Sequence, residues 1–310
     1  MLRGTFLWLS ERQALFDFIK RNGMARAFAR RFVAGETLDD AVAAVRAINA
    51  RGMAATLDVL GESVASADDA RKARDQILEA LDRIAAEQVD ANVSVKLTQL
   101  GLDLDFAGCR DNMVVVLERA AAHQTFVRVD MESSAYTERT LQLFERELFP
   151  RFGDLVGVVI QSALRRSERD VDRLTRMRAR VRLVKGAYKE PPDIAFPAKR
   201  DVDGAFARMA ERLLDADVYP AIATHDDQLV AQVERRAAVL GRTRDRFEFQ
   251  MLYGVRRDLQ ERLHRDGYRV RIYVPFGTHW YPYLMRRLAE RPANVASITA
   301  SVVKEAFAWG

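Results

Sequence analysis

Cysteine is almost absent from this sequence, since Cys109 is the single cysteine among 310 residues. One cysteine cannot form a disulfide within the chain, which excludes a disulfide-stabilised scaffold and favours a reducing compartment such as the cytoplasm. No run of about 18 apolar residues occurs, so no segment is predicted to span a membrane. The apolar stretch MLRGTFLWLS at 1–10 either packs on the domain as a helix or lies peripherally on the inner face of the cell membrane.

Motifs for metals, phosphates and nucleophilic serines are also missing. The four histidines, His123, His225, His264 and His279, show neither HxH nor HExxH spacing, and no metal site is predicted. The sequence has no P-loop, nucleophile elbow or GxGxxG motif. Cys109 lies in a predicted polar loop without a neighbouring base, so we interpret it as a bystander thiol. The chemistry is therefore expected to depend on an organic cofactor or on a lysine.

Positive charge is moderate, with a net charge of +5 and a pI of about 9.4. The densest basic stretch, Arg165 to Arg182, alternates with acidic residues, as the solvated face of a helix does. Because the basic residues are not interleaved with aromatic ones, no nucleic-acid partner is predicted. Anionic small molecules or acidic lipid fit this charge equally well.

Eight short apolar runs, rich in β-branched residues, alternate with helical patterns after an N-terminal helical region at 1–54. This alternation predicts an α/β fold, a (β/α)8 TIM-like barrel at 55–310 with additional N-terminal helices, in one domain spanning 1–310. A doubly wound open sheet is the alternative, although it usually has fewer strands. The runs are TLDVL (56–60), VSVKLT (93–98), FVRVDME (126–132), VGVVIQ (156–161), VRLVKGA (181–187), PAIATH (220–225), FEFQML (247–252) and VRIYVPFG (270–277).

Polar side chains share one parity on most of these predicted strands, and apolar side chains share the other. Because side chains alternate along a strand, the polar set is expected to face the barrel interior. Such groups either form structural ion pairs or line a polar pocket, and both readings stay open. The set comprises Asp58, Lys96, Arg128, Asp130, Arg182, Glu248 and Arg271.

Two adjacent arginines follow the last predicted strand, in a helix expected from Trp280 to Glu290. Arg286 and Arg287 would then lie at the C-terminal mouth of the barrel, where they can form a carboxylate clamp. Alternatively, they pair with Glu290 on an ordinary helix surface. The Pro-rich segment from Tyr188 to Asp203 is expected to be irregular and could act as a lid.

The motifs VSVKLT, RVDME, RLVKGAY, ATHD, EFQMLYG and RIYVPFG-THWYPYLMRRLAE, in this order, resemble those of proline dehydrogenase. This FAD-dependent barrel also forms the front of the bifunctional proline utilisation A proteins, and the resemblance covers Thr56 to Glu290. It implies oxidation of L-proline to Δ1-pyrroline-5-carboxylate, with hydride passing from C5 of proline to N5 of FAD. It also implies a membrane quinone as electron acceptor and a pyrroline-5-carboxylate dehydrogenase downstream.

The resemblance assigns roles to individual residues. Lys96, Arg286 and Arg287 would hold the substrate carboxylate, Tyr273 would pack on the ring, and Tyr188 would lie near the substrate. Glu62 would pair with Arg286 and close the site. Asp130 and Arg182 would be catalytic, with Arg182 beside the flavin. The residues expected to contact FAD are Met131, Gln161, Arg182, Val184, Lys185, Gly186, Ala187, Thr224, His225, Asp226, Gln250 and Leu252. Asp226 stands where some relatives have asparagine.

Two other functions remain possible on the residues alone. A Schiff-base aldolase would use Lys185 or Lys96 as its nucleophile, although this leaves the paired arginines and Arg182 unexplained. A scaffold or nucleic-acid-binding protein would carry no chromophore, and its binding would depend steeply on salt.

Overall fold

Eight parallel strands close into a barrel in the computed structural model, which describes residues 29–61, 63–216 and 218–290, without the side chains of 286–290. Each strand pairs with the next along the chain, and the last pairs with the first. The predicted (β/α)8 barrel is therefore confirmed. The strands are β1 (Ala54–Val59), β2 (Ala91–Val95), β3 (Val127–Val129), β4 (Val156–Gln161), β5 (Arg180–Val184), β6 (Ala221–Ala223), β7 (Glu248–Leu252) and β8 (Arg269–Phe276).

Helices surround the barrel and bury their apolar faces against it. Thr37 caps the first of them and forms a reciprocal capping box with Asp40. The helices are α1 (Leu38–Asn49), α2 (Ala67–Glu87), α3 (Phe106–Ala122), α4 (Ser134–Leu143), α5 (Phe149–Phe152), α6 (Ser167–Arg176), α7 (Lys199–Asp215), α8 (Asp227–Val239), α9 (Arg257–Arg265) and α10 (Trp280–Glu290). None of these described helices is long and apolar enough to cross a bilayer.

Strand boundaries differ from the predicted ones mainly at the C-terminal mouth. β3 and β6 contain three residues each, because the polar residues that follow them leave the sheet to form the rim of the barrel. β1 begins at Ala54, which had been assigned to the N-terminal helical region. The division of 1–310 into one domain stays a prediction.

The barrel interior is polar at its N-terminal end. The large side chain of Arg128 lies there and needs space among its neighbours. Arg128 is fully buried there and donates from Nη1 to the carbonyl oxygens of Arg180 at 2.7 Å and Val158 at 3.3 Å. Gly157 makes this position possible, because a Cβ on it would lie 2.5 Å from Arg128 Nη1. A residue without a side chain on β4 thus allows a buried cation on β3.

A second hydrophobic cluster, separate from the main core, holds α10 at the mouth. Residues of α10 pack there against the chain before α1 and against Leu60, which follows β1. Trp280 also donates from Nε1 to Glu36 Oε1 at 3.0 Å. The cluster comprises Ala29, Phe32, Val33, Leu60, Trp280, Tyr281, Tyr283, Leu284 and Met285.

Two local predictions were wrong. Cys109 lies in α3 rather than in a loop, because Asp105 caps that helix by accepting hydrogen bonds from the amides of Ala107 and Gly108. The irregular segment after β5 ends at Ala198, and its predicted last residues, 199–203, form the first turns of α7. The two consecutive prolines, Pro191 and Pro192, exclude helix only upstream of that point.

Candidate active site at the barrel mouth

A buried ion pair lies at the C-terminal ends of β1 and β2. Lys96 Nζ is 2.6 Å from Asp58 Oδ1 and 4.0 Å from Asp130 Oδ2. Burial tends to lower the pKa of Lys96, but the two carboxylates outweigh burial and raise it above the ordinary value. Lys96 is therefore a permanent cation at the rim, available to an anionic substrate.

Asp130 is the centre of a second set of contacts. Arg182 Nη1 donates to Asp130 Oδ1 at 2.7 Å, and Ser94 Oγ donates to the same oxygen at 2.7 Å. The other oxygen, Oδ2, accepts from the hydroxyl of Tyr273 at 2.7 Å. The carboxylate of Asp130, directly after β3, thus fixes side chains from β2, β5 and β8, as an active-site support is expected to do.

The guanidinium of Arg182 makes hydrogen bonds through some of its nitrogens but not through all of them. Its Nε donates to Gln250, and its guanidinium carbon lies 5.3 Å from the centre of the Tyr273 ring. Its Nη2 is buried and has no hydrogen-bond partner among the described residues. An unmet buried N–H beside an aromatic ring can donate to an acceptor atom of a bound planar cofactor.

Tyr273 is a neutral phenol in this position. Burial and then the charge of Asp130 raise the pKa of Tyr273 well above its usual range. Its hydroxyl is committed as a donor to Asp130, so the ring face is the part of Tyr273 that a substrate can contact.

The ends of β4 and β5 approach one another closely. Gln161 donates from Nε2 to the carbonyl oxygen of Glu132 at 2.7 Å. Gly186 adopts a φ of +110°, and a Cβ on it would lie 3.0 Å from Gln161 Oε1. The stretch from Val184 to Ala187 therefore exposes backbone beside Gln161, which suits close approach of a ligand.

A cluster of alternating charges ties β5 to the loops that follow it. Lys185 Nζ lies 2.6 Å from Asp203 Oδ1 and 3.0 Å from Asp226 Oδ2, and Lys199 pairs with the same two aspartates. Burial opposes ionisation of Asp226, but the hydrogen bonds from both lysines lower its pKa to about 2. Thr224 Oγ1 accepts from the Asp226 amide at 3.2 Å.

His225 and Leu252 connect the ends of β6 and β7. His225 Nε2 accepts a hydrogen bond from the Leu252 amide at 2.9 Å. This bond requires an unprotonated Nε2 and leaves Nδ1 as the proton-bearing nitrogen. The resemblance assigns cofactor contacts to both residues and to Met131, which follows β3, and these contacts stay predictions.

The segment between β5 and α7 crosses the rim. Tyr188 in this segment interacts electrostatically with Lys96. Glu190 accepts hydrogen bonds from the amide and the hydroxyl of Ser134 at the start of α4, the first at 2.7 Å. Ala195 forms an antiparallel bridge with Leu164. These contacts tie the segment to the start of α4 and to the chain after β4.

The structure brings together most of the predicted site residues, but three lie partly or wholly outside its description. Glu62 lies outside the described residues. Arg286 and Arg287 belong to α10 by backbone, and their side chains lie outside the description. Their predicted roles, and those of the other site residues, stay predictions.

Sequence reasoning missed two residues of this arrangement. Asp58 was expected inside the barrel but not at the site, and Ser94 was given no role, although it bonds to both Asp130 and Arg182. Ser94 shares its parity on β2 with Lys96, so parity alone could have placed it. Cys109 is buried in the main hydrophobic core on α3, and this burial raises the pKa of its thiol to about 12. Within the described ranges, no three acidic, histidine or cysteine side chains converge as metal ligands.

Comparison with known proteins identifies the family. The proline dehydrogenase family model matches residues 41–300. Proline dehydrogenase 1 of Bacillus subtilis (strain 168) is 41% identical over 305 residues, which cover 98% of this chain and 100% of that protein. The proline dehydrogenase of Deinococcus radiodurans is 40% identical over 280 residues, covering 89% of this chain and 90% of that protein. The chain belongs to the proline dehydrogenase family and is an oxidoreductase.

Structural comparison agrees with this assignment. A crystal structure of proline utilization A (PutA) from Bdellovibrio bacteriovorus, inactivated by N-propargylglycine, superposes with a TM-score of 0.83 at 28% identity. The match covers 94% of this chain and 35% of that protein, so the chain spans about a third of PutA. Proline dehydrogenases are generally flavin-dependent enzymes.

Proposed function

We propose that this enzyme oxidises L-proline to Δ1-pyrroline-5-carboxylate, with FAD as its cofactor. The observation that carries the proposal is the convergence of Lys96 and Arg182 on Asp130 at the mouth of a proline dehydrogenase barrel. One cation is suited to a carboxylate, and the other, with its unused Nη2, is suited to a flavin. The reaction removes a hydride from C5 and a proton from nitrogen, and bound FAD would supply the two-electron acceptor.

The residues of the mouth would position proline rather than react with it. The Lys96 ammonium would bind the carboxylate of proline, together with Arg286 and Arg287 of α10. The Tyr273 face would pack on the pyrrolidine ring, because its hydroxyl is already bonded to Asp130. Fixing the ring in one orientation can contribute up to about 7–11 kcal/mol to lowering the barrier of such a step.

The residues proposed to hold FAD fit that cofactor in three respects. Arg182 presents a buried donor, Gly186 leaves backbone open beside Gln161, and Lys185 adds a cation at the end of β5. Thr224, His225, Gln250 and Leu252 would complete that side, with Met131, Val184 and Ala187. Glu62 would close the site by pairing with Arg286.

The aldolase alternative is disfavoured by the state of both lysines. A Schiff-base lysine must be neutral to attack, and such residues have a lowered pKa. The pKa of Lys96 is instead raised by its carboxylate neighbours. Lys185 is held between Asp203 and Asp226 and points away from the interior that contains Arg182.

Colour and its loss test the proposal directly. The purified protein should show the visible absorption of an oxidised flavin, and anaerobic L-proline should bleach it, with D-proline as the control substrate. An unbleached flavin would overturn the choice of substrate. A colourless protein that borohydride traps with a carbonyl substrate would favour the aldolase.

The electrons are proposed to pass to a membrane quinone, and the product to a pyrroline-5-carboxylate dehydrogenase. The basic pI of about 9.4 suits contact with an acidic lipid surface. Reduced enzyme should sediment with vesicles that contain anionic lipid and should reduce a quinone held in them. A lack of association in both redox states would count against the membrane acceptor.

A further inference from the structure

Ser94 is a buried hydroxyl beside Asp130 and Arg182 to which the proposed reaction gives no role. It lies on β2, two residues before Lys96, and its side chain is on the polar, interior side of the strand. The residue is only 2% exposed. A buried hydroxyl costs free energy unless it is hydrogen-bonded, so its partners indicate what the residue does.

The hydroxyl of Ser94 joins Arg182 to Asp130. Its Oγ lies 2.7 Å from Asp130 Oδ1 and 3.1 Å from Arg182 Nη1. A guanidinium can only donate hydrogen bonds, so the hydroxyl oxygen accepts from Arg182 and the single hydroxyl proton goes to Asp130. Arg182 Nη1 also donates directly to Asp130 Oδ1 at 2.7 Å. The three side chains therefore form a closed triangle of hydrogen bonds.

This triangle decides which nitrogen of Arg182 remains available. Of the five N–H groups of a guanidinium, the two on Nη1 are used by Asp130 and Ser94, and the one on Nε is used by Gln250. The two on Nη2 remain, and Nη2 is buried with no hydrogen-bond partner among the described residues. Ser94 thus helps to direct Nη2 as the binding edge of the cation.

Removal of the hydroxyl should loosen this direction without removing the cation. In Ser94→Ala, Asp130 and Gln250 would still bind Arg182, but one N–H of Nη1 would have no acceptor. That unmet donor can turn the guanidinium towards another acceptor, since an unpaired buried N–H is unfavourable. The position of Nη2 would then no longer be fixed.

We propose that Ser94 is a positioning residue of the reaction, which aims the Nη2 edge of Arg182 at the flavin through its bonds to Arg182 and Asp130. The inference rests on the proposed function, because it takes Arg182 as the flavin's cationic neighbour. A cation held in place beside the flavin stabilises the negative charge that reduction adds. Ser94 therefore acts on the reduction of the flavin, and not on the binding of proline.

The midpoint potential of the bound flavin tests this role without any use of proline. Reductive titration with dithionite and a redox dye should give a lower potential for Ser94→Ala than for wild type. A tenfold change in the equilibrium between oxidised and reduced flavin is expected, or about 30 mV for a two-electron couple. Flavin reduction by proline should slow by about tenfold. The KM for proline should change by less than about twofold, because Lys96 is untouched.

Thr56→Val is the matched control, since it also removes one buried hydroxyl between β1 and β2. Thr56 is fully buried and donates from Oγ1 to Asn92 Oδ1 at 2.5 Å, away from Arg182 and Asp130. Both variants should lower the midpoint of urea unfolding, but Thr56→Val should leave the flavin potential unchanged. Ser94→Thr keeps the hydroxyl and should retain a potential close to that of wild type.

The outcomes separate the role of Ser94 from the proposed function. If proline bleaches the wild type and Ser94→Ala has an unchanged potential and reduction rate, the role of Ser94 is overturned and the proposed function stands. Equal shifts of potential in Ser94→Ala and Thr56→Val would also overturn it. A wild type whose flavin proline does not reduce would overturn the proposed function, whereas the potentials would still decide whether Ser94 directs Arg182. A wild type without flavin would overturn both.

Discussion

The two ends of the barrel interior both contain buried charges, but they use these charges differently. At the N-terminal end, Arg271 is matched by Glu248 and by the carbonyl oxygen of Ala55 at 2.7 Å, and Arg128 is bound by backbone carbonyls. At the mouth, Lys96 and Arg182 share Asp130 and keep bonding capacity for a ligand. Ion pairs at one end therefore complete the fold, whereas those at the other prepare a site.

A hydrogen-bonded connection joins the two ends. Gln250 donates to Glu248 and accepts from Arg182. One amide on β7 therefore links the ion pair of Glu248 at the N-terminal end to that of Arg182 at the mouth. Because both its oxygen and its nitrogen are used, Gln250 orients Arg182 from within the barrel. This contact is compatible with the proposed position of Gln250 near FAD, and it gives Gln250 a supporting role as well.

The largest effect on stability is expected from Glu248→Ala. This change leaves Arg271 buried without its carboxylate, and breaking a buried pair in this way costs about 3–5 kcal/mol. Urea unfolding should show a correspondingly lower midpoint, while Glu248→Gln, which keeps an acceptor oxygen, should lose less. Equal midpoints for wild type and Glu248→Ala would show that the ion pair at the N-terminal end does not stabilise the fold.

Arg182→Met should affect catalysis more than folding. Loss of the cation beside the proposed flavin is expected to slow flavin reduction by roughly 10²–10³-fold, or to release the flavin. Arg271→Met is the matched control, since it makes the same chemical change at the N-terminal end of the barrel interior. It should lower the unfolding midpoint and leave flavin reduction in the folded protein near normal. Similar, mild effects of both variants on reduction would contradict the assignment of Arg182.

Lys96→Met should weaken the use of proline while flavin content stays normal. A charge-assisted hydrogen bond of about 1.5–3 kcal/mol corresponds to roughly a 10–150-fold fall in kcat/KM. The double variant Lys96→Met with Asp58→Asn removes both members of the pair, and so tests whether an unmatched Asp58 causes the defect. Recovery of activity in the double variant would argue against direct binding by Lys96.

The sequence was sufficient for the barrel because its strands carry a strong alternating pattern. Lys96, Arg182 and Glu248 were placed in the interior by parity alone, and each is found there. Pairing partners were not predictable, since parity shows which face a residue occupies and not its height in the barrel. In the pairing of β1 with β2, Asp58 lies opposite Ser94. Lys96 follows Ser94 by two residues on the same side of the chain, so this register brings its ammonium to Asp58.

Other errors have local physical causes. Cys109 was assigned to a loop because the stretch before it is polar, yet Asp105 uses its carboxylate to begin a helix there. The long irregular segment was extended too far, because its charged end, which includes Lys199 and Asp203, resembles a loop. Those residues pair with each other along α7, a contact that sequence spacing allows but does not require.

The smallest effect is expected from Asp226→Asn, and it should depend on pH. The folded pKa of Asp226 is about 2, against an ordinary value of 3.8, so its ionised form stabilises the fold. That contribution is fully present above pH 3.8 and is lost as the pH falls towards 2. Because the cluster is partly exposed, the variant should lose less than about 1 kcal/mol at neutral pH. The difference in unfolding free energy between wild type and variant should shrink below pH 3.8, whereas a constant difference down to pH 2 would show that Lys185 and Lys199 do not stabilise the fold through this carboxylate.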